Sequence, residues 1–488
     1  MDCANCGTSD NTKACGRCKL VYYCSRACQT VHWKQKPGGH KEHCKTPEER
    51  SVAKAQAALS SAGAAEERDH DNLCAICFDN LSDSPSPTLP CSHRFHASCV
   101  DELRKAGVQE VCPLCRAKLP ATAEKMFDDA CSIGFPIVKL VDSGQLSWGS
   151  LNREEQRKMN EAERLFTEAA KQGLPDAQFN LGNMYENGQG VKQDYSKARE
   201  WYEKAAKQGH ARAQNNLGFM YYHGQSVKQD YTKAKEWYEK AVKQEHATAQ
   251  NNLGFMYANV MGDYSKAREW YEKAAKQEYA GAQFNLGNMY DHGQGVKQDY
   301  FKAREWYEKA AEQGLADAQS KLGNMYTHGH GVKQDYSKAR EWYEKAAKQE
   351  DTMAQFSLGK MYYHGLGVKQ DYSKATEWYK KAAKQEHADA QYNLGFMYYQ
   401  GEGVKQNYSK AREWFEKAAK QGHARAQFNL GFMYANGSGV EQSDSLAMRW
   451  YGRAAAQGDD EAKKRCDGIL QKRRKQKQRG EVGGGKGS

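Results

Sequence analysis

The sequence AQFNLGNMYDHGQGVKQDYFKAREWYEKAAEQG spans residues 282–314 and recurs with small changes from about residue 174 to residue 458. A Leu-Gly pair marks each copy, and the copies are 36 residues apart except for one step of 33 residues between Leu253 and Leu286. A period of this length is typical of solenoids, in which each unit buries its apolar face only against its neighbours. The eight marker leucines are Leu181, Leu217, Leu253, Leu286, Leu322, Leu358, Leu394 and Leu430.

Each copy predicts two helices. The first helix covers Ala-Gln-x-Asn-Leu-Gly-x-Met-Tyr and ends at a glycine-rich turn such as residues 188–190. The second begins after an aspartate such as Asp194, because a carboxylate accepts hydrogen bonds from the free N–H groups of the first turn. The third copy lacks the loop GxGVKQ, so that residues 258–262 lead straight to Asp263. We therefore expect intact helices and a shortened turn there.

This pattern closely resembles the Sel-type repeat family, a branch of the tetratricopeptide-like α-solenoids. The resemblance covers well over half of the chain and implies a mostly α fold, a right-handed α-solenoid of helix-turn-helix repeats. We expect eight repeats over 174–458 and an N-terminal helical cap over 121–173. A basic capping helix over 459–479 and a disordered tail over 480–488 are expected to complete the chain.

The cysteines are concentrated ahead of the repeats. Thirteen of the 15 lie before residue 116, and only Cys131 and Cys466 lie beyond it. Clustered CxxC pairs are typical of zinc sites in a reducing compartment, whereas secreted disulfide proteins spread or pair their cysteines differently. The sequence also contains no signal peptide and no run of about 18 apolar residues. These features predict a cytoplasmic or nuclear protein without a membrane partner.

Residues 71–120 contain eight potential zinc ligands in four close pairs. They read C-x2-C, thirteen residues, C-x-H-x2-H-x2-C, twelve residues, C-x2-C. Zinc binds four nitrogen or sulfur ligands tetrahedrally, so eight ligands predict two closed sites. The spacing resembles the RING finger in its two-histidine form, whose sites interleave in a cross-brace. The resemblance implies one zinc on Cys74, Cys77, His96 and Cys99, and another on Cys91, His93, Cys112 and Cys115.

Residues 1–45 contain a second set of ligands, which a linker over 46–70 separates from the first. The segments VYYCSRACQTVHW and HKEHC resemble the MYND zinc finger. An inserted loop over 34–39 leaves the ligating histidine open: His40 keeps the three-residue gap to the last cysteine, and His32 and His43 are alternatives. The resemblance implies one zinc on Cys3, Cys6, Cys24 and Cys28, and another on Cys15, Cys18, His40 and Cys44.

All four zinc ions are expected to be structural, because every site has four protein ligands and no open position. No candidate catalytic residues stand out elsewhere. The formal charge of +11 is concentrated at the C-terminus, where residues 463–479 carry nine Lys or Arg against Asp467. The rest of the chain is close to neutral, which makes nucleic acid an unlikely partner. The basic segment is either a nuclear import signal or a solubilising helix.

RING fingers act as ubiquitin ligases by holding a ubiquitin-conjugating enzyme and its ubiquitin thioester in a reactive orientation. The resemblance places the conjugating-enzyme contacts at Ile76, Leu103, Pro113, Leu114 and Arg116. Leu103 stands where many members have Trp. Two interpretations remain open, a ubiquitin ligase whose other modules select the substrate and a non-catalytic scaffold for protein–protein interactions. A MYND methyltransferase is excluded because no catalytic domain follows.

Two further surfaces are predicted to bind peptides. The MYND resemblance implies a site for a proline-rich peptide at Gln29 and Trp33, which alternatively only pack the small fold. In the repeats, the residue before the marker leucine is usually asparagine, and Lys321 and Ser357 replace it in two repeats. A column of amides can hydrogen-bond the backbone of an extended peptide of a protein substrate. Alternatively, each asparagine bonds to the neighbouring repeat and only holds the array together. The asparagines are Asn180, Asn216, Asn252, Asn285, Asn393 and Asn429.

Eight tryptophans recur at one position of the second helix, from Trp201 to Trp450. An aromatic ladder of this kind could stack nucleic acid bases. The alternative is that repeat spacing places each ring in the same core between helices, and this interpretation is favoured by the neutral charge of the repeats.

Overall fold

The computed structural model describes the backbone of residues 13–14, 22–23 and 121–483 and the side chains of residues 121–475. It divides the chain into two compact units, one of residues 1–143 and 161–174 and one of residues 144–160 and 175–488. Two short strands in the MYND segment, β1 (Lys13–Ala14) and β2 (Tyr22–Tyr23), pair antiparallel. From residue 121 onward the described residues form α-helices and one 3₁₀ turn, Trp148–Ser150.

Two helices precede the repeats, α1 (Ala123–Asp142) and α2 (Arg153–Lys171). Thr122 begins α1 by accepting a hydrogen bond from the N–H group of Lys125 at 3.0 Å. The Phe127 and Phe166 rings pack edge to face with centroids 5.7 Å apart. These two helices occupy the segment for which a helical cap is predicted.

Eight helix pairs follow, and they confirm the predicted fold class. The first helices are α3 (Pro175–Asn187), α5 (Ala211–His223), α7 (Ala247–Asn259), α9 (Ala280–His292), α11 (Ala316–His328), α13 (Thr352–His364), α15 (Ala388–Gln400) and α17 (Ala424–Asn436). The second helices are α4 (Tyr195–Lys207), α6 (Tyr231–Val242), α8 (Tyr264–Lys276), α10 (Tyr300–Glu312), α12 (Tyr336–Lys348), α14 (Tyr372–Lys384), α16 (Tyr408–Lys420) and α18 (Asp444–Ala455). We number the pairs as repeats 1–8.

Repeat 6 illustrates how the sequence begins and ends its helices. Asp351 caps α13 by accepting a hydrogen bond from the N–H group of Ala354 at 2.6 Å. Gly365 ends that helix in the left-handed conformation, with φ of +70°, and its N–H group donates to the Met361 carbonyl. Asp371 caps α14 through the N–H group of Lys374 at 2.9 Å. Aspartate before a helix and glycine after it satisfy the backbone groups that a helix end leaves free.

The buried tyrosine of a typical second helix packs against the first helix of its own repeat at the marker glycine and against the first helix of the next repeat. Tyr379 of repeat 6 is 1% exposed and packs with Leu394 and Met397 of the next repeat. Gly359 lies directly beneath the Tyr379 ring, where a side chain would collide with it. The glycine therefore sets how closely the two helices approach.

Two columns of glutamines, one of them buried, link the two helices of a repeat and join consecutive repeats. Gln385 donates to the side-chain oxygen of Gln355 at 3.0 Å and to the carbonyl of Glu350, in the preceding repeat, at 2.9 Å. In the next repeat, Gln391 donates back to the Ala383 carbonyl at 3.2 Å. Each buried amide thus has hydrogen-bond partners, as burial requires. The chain repeats both glutamines in every copy, so that this network runs through the array.

The tryptophans confirm the packing interpretation. Trp237 and Trp378 are half-buried against the core of the preceding repeat. A lysine three residues later lies over each ring, with Lys240 Nζ 3.7 Å from the Trp237 centroid and Lys381 Nζ 4.1 Å from that of Trp378. Each tryptophan ring thus contacts the core and is also covered by a lysine cation. The rings are therefore not free to stack on nucleic acid bases.

The third repeat has the predicted shortened turn. Its helices are complete, but only residues 260–263 separate them. Elsewhere a loop glycine such as Gly403 lies against the first tyrosine of the preceding second helix, Tyr372. Repeat 3 has no such glycine, and Tyr231 is consequently 39% exposed. Tyr195 is similarly exposed, at 36%, beside the full-length loop of repeat 2, in which Ser226 replaces the glycine, so the exposure accompanies the loss of the glycine rather than the deletion.

The last helix, α19 (Asp460–Gly483), is longer than the sequence predicts. It continues four residues beyond residue 479, into the tail predicted to be disordered over 480–488. Glycine disfavours a helix by only about 1 kcal/mol, which does not force the helix to end at Gly480. Within the described residues, no helix combines the length and the apolar character that crossing a bilayer requires.

Candidate functional site

Three sets of predicted site residues lie outside the described residues. They are the zinc ligands of the two fingers, the conjugating-enzyme contacts of the RING segment, and Gln29 and Trp33 of the MYND segment. The described candidate site is the exposed face of the first helices, which carries the asparagine column.

All six asparagines of the column are half-buried on the first helices. In repeats 2–4 their amides donate to the preceding repeat. Asn252 Nδ2 lies 3.0 Å from Asn215 Oδ1, and Asn285 Nδ2 lies 2.9 Å from Asn251 Oδ1. Asn216 makes a longer contact with Asn183. These bonds join neighbouring repeats, and the peptide-binding role of the column stays a prediction.

Lys321 and Ser357, which replace asparagine in the column, both contact the preceding repeat. Lys321 Nζ lies 3.9 Å from Asp291 Oδ2 in the preceding repeat, so its charge is paired. Ser357 hydrogen-bonds to the Tyr343 hydroxyl, and burial raises the pKa of that tyrosine. Both side chains are therefore engaged with the preceding repeat rather than free toward solvent.

We expect replacement of Asn216, Asn252 and Asn285 by alanine to lower the melting temperature by several degrees. Each partly buried hydrogen bond between repeats contributes about 1 kcal/mol. Circular dichroism during heating measures the effect.

The matched control replaces three exposed asparagines at helix ends, Asn187, Asn259 and Asn436, whose amides bond only to their own helices. This variant is expected to melt like the wild type. Equal melting temperatures for both triple variants would mean that the bonds between repeats do not stabilise the array.

A cavity of about 630 Å³ opens on the first-helix face of repeats 6–8. Its walls come from α13, from α15 and from the start of α17, together with Tyr379 of α14. Most of the lining is aromatic or basic. We name it the aromatic cavity; the lining residues used below are Phe356, Lys360, Tyr363, Asp389, Tyr392, Phe396, His423 and Arg425.

Histidines of the following repeats hold two of the aromatic walls. His387 stacks on Phe356 with centroids 4.5 Å apart, and His423 stacks on Tyr392 at 4.6 Å. Each histidine also caps its own first helix by accepting a backbone N–H group at Nδ1, at 3.2 and 3.1 Å. Burial lowers the pKa of His387, which favours the neutral form that this cap needs. The rings are therefore fixed in place by the neighbouring repeat.

Two cations of the cavity have no acidic partner. Within residues 121–475, no ion pair joins Lys360 or Arg425 to a carboxylate. The Lys360 Nζ lies 5.8 Å from the Phe356 ring centroid. The carboxylate of the lining, Asp389, accepts from His423 Nε2 at 3.1 Å, because Nδ1 of that histidine already accepts a backbone N–H group. The cavity thus offers two unpaired positive charges beside aromatic rings.

Sequence reasoning found one member of this cavity, Asn393, and missed the others. The sequence signal for the other members lies at the positions that vary between repeats rather than at the positions that recur. The position of Lys360 is Asn or Phe in every other repeat, and the position of Arg425 varies among Asp, Arg, Thr, Gly and Met. Positions that vary within a regular array are those that packing leaves free.

Comparison with known families finds three modules. The Sel1 repeat model matches nine consecutive segments, of which the first covers only residues 154–174 and the last ends at residue 459. The Ring finger domain model matches residues 72–116, and the MYND finger model matches residues 3–44. All three predicted resemblances are confirmed. RING and MYND fingers are zinc-binding families, which supports zinc as the cofactor.

Curated relatives of the RING finger match short segments. The chain is 38% identical over 60 residues to E3 ubiquitin-protein ligase ZNRF4 of Homo sapiens, which is 12% of this chain and 14% of that protein. It is 36% identical over 62 residues to E3 ubiquitin-protein ligase SIRP1 of Oryza sativa subsp. japonica, which is 12% of this chain and 19% of that protein. The matches therefore span less than a fifth of either relative.

The repeats resemble a solved structure over a much longer stretch. The protein c5321, a protective antigen of uropathogenic Escherichia coli strains with an SLR fold, is 37% identical with a TM-score of 0.54. The similarity covers 64% of this chain and 67% of that one. The Sel1 model matches more than half of the chain as well. The chain belongs to the Sel1 repeat family.

Proposed function

We propose that this protein is a RING-type ubiquitin ligase in which the repeats and the MYND finger select the protein that is modified. The observation that carries the proposal is the RING finger at residues 72–116, whose relatives include proteins named as E3 ubiquitin ligases. Ile76, Pro113 and Arg116 stand at the positions through which RING fingers contact their partners.

The proposed mechanism is one of orientation. The RING finger holds the conjugating enzyme so that its ubiquitin thioester faces a lysine of the bound substrate. The lysine amine attacks the thioester carbonyl, an isopeptide bond replaces the carbon–sulfur bond, and the cysteine of the conjugating enzyme leaves as a thiol that takes up the proton lost by the amine. The ligase supplies no nucleophile. Its contribution is to hold the reacting groups in a productive orientation, which lowers the entropic cost of bringing them together. Arg116 has five N–H donors in a planar group, which suits a bridge between ubiquitin and the conjugating enzyme.

Zinc has a structural role in this proposal. We assign two ions to each finger, with the sixteen predicted cysteine and histidine ligands, because thiolates and imidazoles are the donors that zinc prefers. Modules of this size bury too little apolar surface to fold unaided. The metal stabilises the surface that carries Ile76 and Arg116 and takes no part in the chemistry.

The first-helix face of the repeats is the proposed substrate site, and the MYND finger is the proposed site for a proline-rich segment of the substrate. Half-buried amides and the aromatic cavity lie on the same face of the array, which supports a role in binding extended protein segments. Cytosol or nucleus is the proposed location.

Autoubiquitylation of the full zinc-loaded chain with a panel of conjugating enzymes tests the ligase. We expect Arg116→Ala to slow transfer about tenfold to a hundredfold, since charge-assisted hydrogen bonds contribute about 1.5–3 kcal/mol. Zinc content should be unchanged.

The matched control is Lys118→Ala, which removes one positive charge two residues away from a position outside the predicted contacts. It is expected to support transfer at the wild-type rate. Absence of transfer by the wild type with every conjugating enzyme of the panel would instead establish the non-catalytic scaffold.

A further inference from the structure

The aromatic cavity of repeats 6–8 differs from the rest of the first-helix face in its charge. In repeat 1 this face carries the carboxylates of Asp176 and Glu186. In repeats 4 and 5 the cation Lys321 is paired with Asp291. Lys360 and Arg425 lack such partners in the described part of the chain. Arg212 of repeat 2 stands in the register of Arg425 and also has no ion pair among the described residues, so the aromatic cavity is distinguished by bringing two such cations, from repeats 6 and 8, to one site.

The walls of the cavity are shaped before any ligand arrives. Phe356 and Tyr392 are held by stacked histidines, and both rings also pack on second-helix rings, at 5.9 Å from Tyr379 and 5.8 Å from Phe415. Tyr363 is held from the side by the Glu402 carboxylate, which accepts from its hydroxyl at 2.8 Å. Rigid aromatic walls lose little conformational entropy on binding, which favours affinity.

The size of the cavity suits a side chain with its flanking backbone. About 630 Å³ lies within the range of small-ligand sites, about 300–1,000 Å³. Its lining comes from the first helices of three consecutive repeats, so that an extended chain lying across them would meet residues of all three. The Asn393 amide, which hydrogen-bonds to the Tyr379 hydroxyl, lies on the lining.

We infer that the aromatic cavity binds an acidic peptide segment with an aromatic side chain between its carboxylates. The aromatic side chain packs among Phe356, Tyr392 and Phe396, and the flanking carboxylates pair with Lys360 and Arg425. Aromatic contact and charge complementarity then select the same segment. This inference rests on the proposed function in one respect, since it treats the first-helix face as the substrate site.

The test is fluorescence anisotropy with the full zinc-loaded chain and three labelled peptides. The probe is Gly-Glu-Glu-Phe-Glu-Glu-Gly, and the two comparison peptides replace Phe by Ala or every Glu by Gln. We expect saturable binding of the probe and binding at least about tenfold weaker for each comparison peptide, because each lacks one of the two selecting features.

Three variants of the chain locate the site. Lys360→Ala, Arg425→Ala and Phe396→Ala are each expected to weaken binding of the probe about tenfold. The matched control is Lys321→Ala, which removes a cation from the same face outside the cavity and should bind the probe as the wild type does. Circular dichroism during heating checks that each variant stays folded.

Three outcomes would overturn the inference. The first is that the Gln peptide binds as tightly as the probe. The second is that Lys360→Ala and Arg425→Ala bind the probe as the wild type does. The third is that a single-stranded oligonucleotide of ten thymidines competes as well as unlabelled probe peptide, which would indicate a general polyanion site. The assay contains no conjugating enzyme. Failure of peptide binding with intact ubiquitin transfer would therefore reject the cavity alone, and the converse would reject the ligase alone.

Discussion

Replacing Gly359 with alanine is expected to destabilise the repeat array by about 3 kcal/mol, the upper end of the usual cost of overpacking a core. A methyl carbon at this position would lie 2.5 Å from Tyr379 Cδ1 and 2.6 Å from Cε1. The ring cannot move away easily, because Tyr379 is 1% exposed and packed on all sides. Either the two helices of repeat 6 separate or the ring leaves its rotamer.

The control for this prediction is a second helical glycine in open space. Gly468 lies in α19 with no atom within 4 Å of the position of an added methyl group. Gly468→Ala should therefore be neutral or stabilise by about 0.5–1 kcal/mol, because alanine loses less backbone entropy in a helix. Thermal unfolding followed by circular dichroism and calorimetry compares the two variants.

An unchanged melting temperature for Gly359→Ala would contradict the prediction. It would mean that the repeat absorbs the methyl group by a small shift between helices. Hydrogen exchange of repeat 6 separates this case from a local loss of structure, because each repeat contacts only its neighbours and can open without the rest.

The sequence predicts the backbone of the array well because its signals are local. Asp371 and Gly365 begin and end helices through bonds within a few residues, so that repeat spacing alone identifies them. The short turn of repeat 3 follows from counting residues. The last helix was expected to end at residue 479 and extends to Gly483, because a glycine at residue 480 only weakens a helix.

The contacts between repeats were harder to predict. Gln391, which bonds to the preceding repeat, belongs to a column as regular as that of the asparagines, and the period alone does not say which column contacts the neighbouring repeat. The aromatic cavity was harder still. Lys360 and Arg425 are 65 positions apart and come from different repeats, so that only packing brings them to one site.

Removal of zinc with 1,10-phenanthroline is expected to abolish ubiquitin transfer while the repeat array keeps its helical signal. Structural zinc contributes about 10–16 kcal/mol to a small finger, so that the fingers unfold without it. Within the described side chains, no group of three or more His, Cys, Asp or Glu is arranged to hold a metal. Neither Cys131 nor Cys466, the two cysteines of that region, forms a disulfide bond. The array therefore has no described metal site to lose.

Three measurements on one sample decide this prediction: released zinc by a chromogenic chelator, helicity by circular dichroism, and transfer by autoubiquitylation. Cys91→Ala is expected to reproduce the loss of transfer and to bind less zinc. Its matched control is Cys466→Ala, because this half-buried thiol lies far along the chain from the fingers and donates its hydrogen bond to the Met448 carbonyl, at 3.6 Å. If chelation melted the array together with the fingers, the metal would hold the repeats as well, and the separation of a zinc-dependent ligase head from a metal-independent Sel1 array would be wrong.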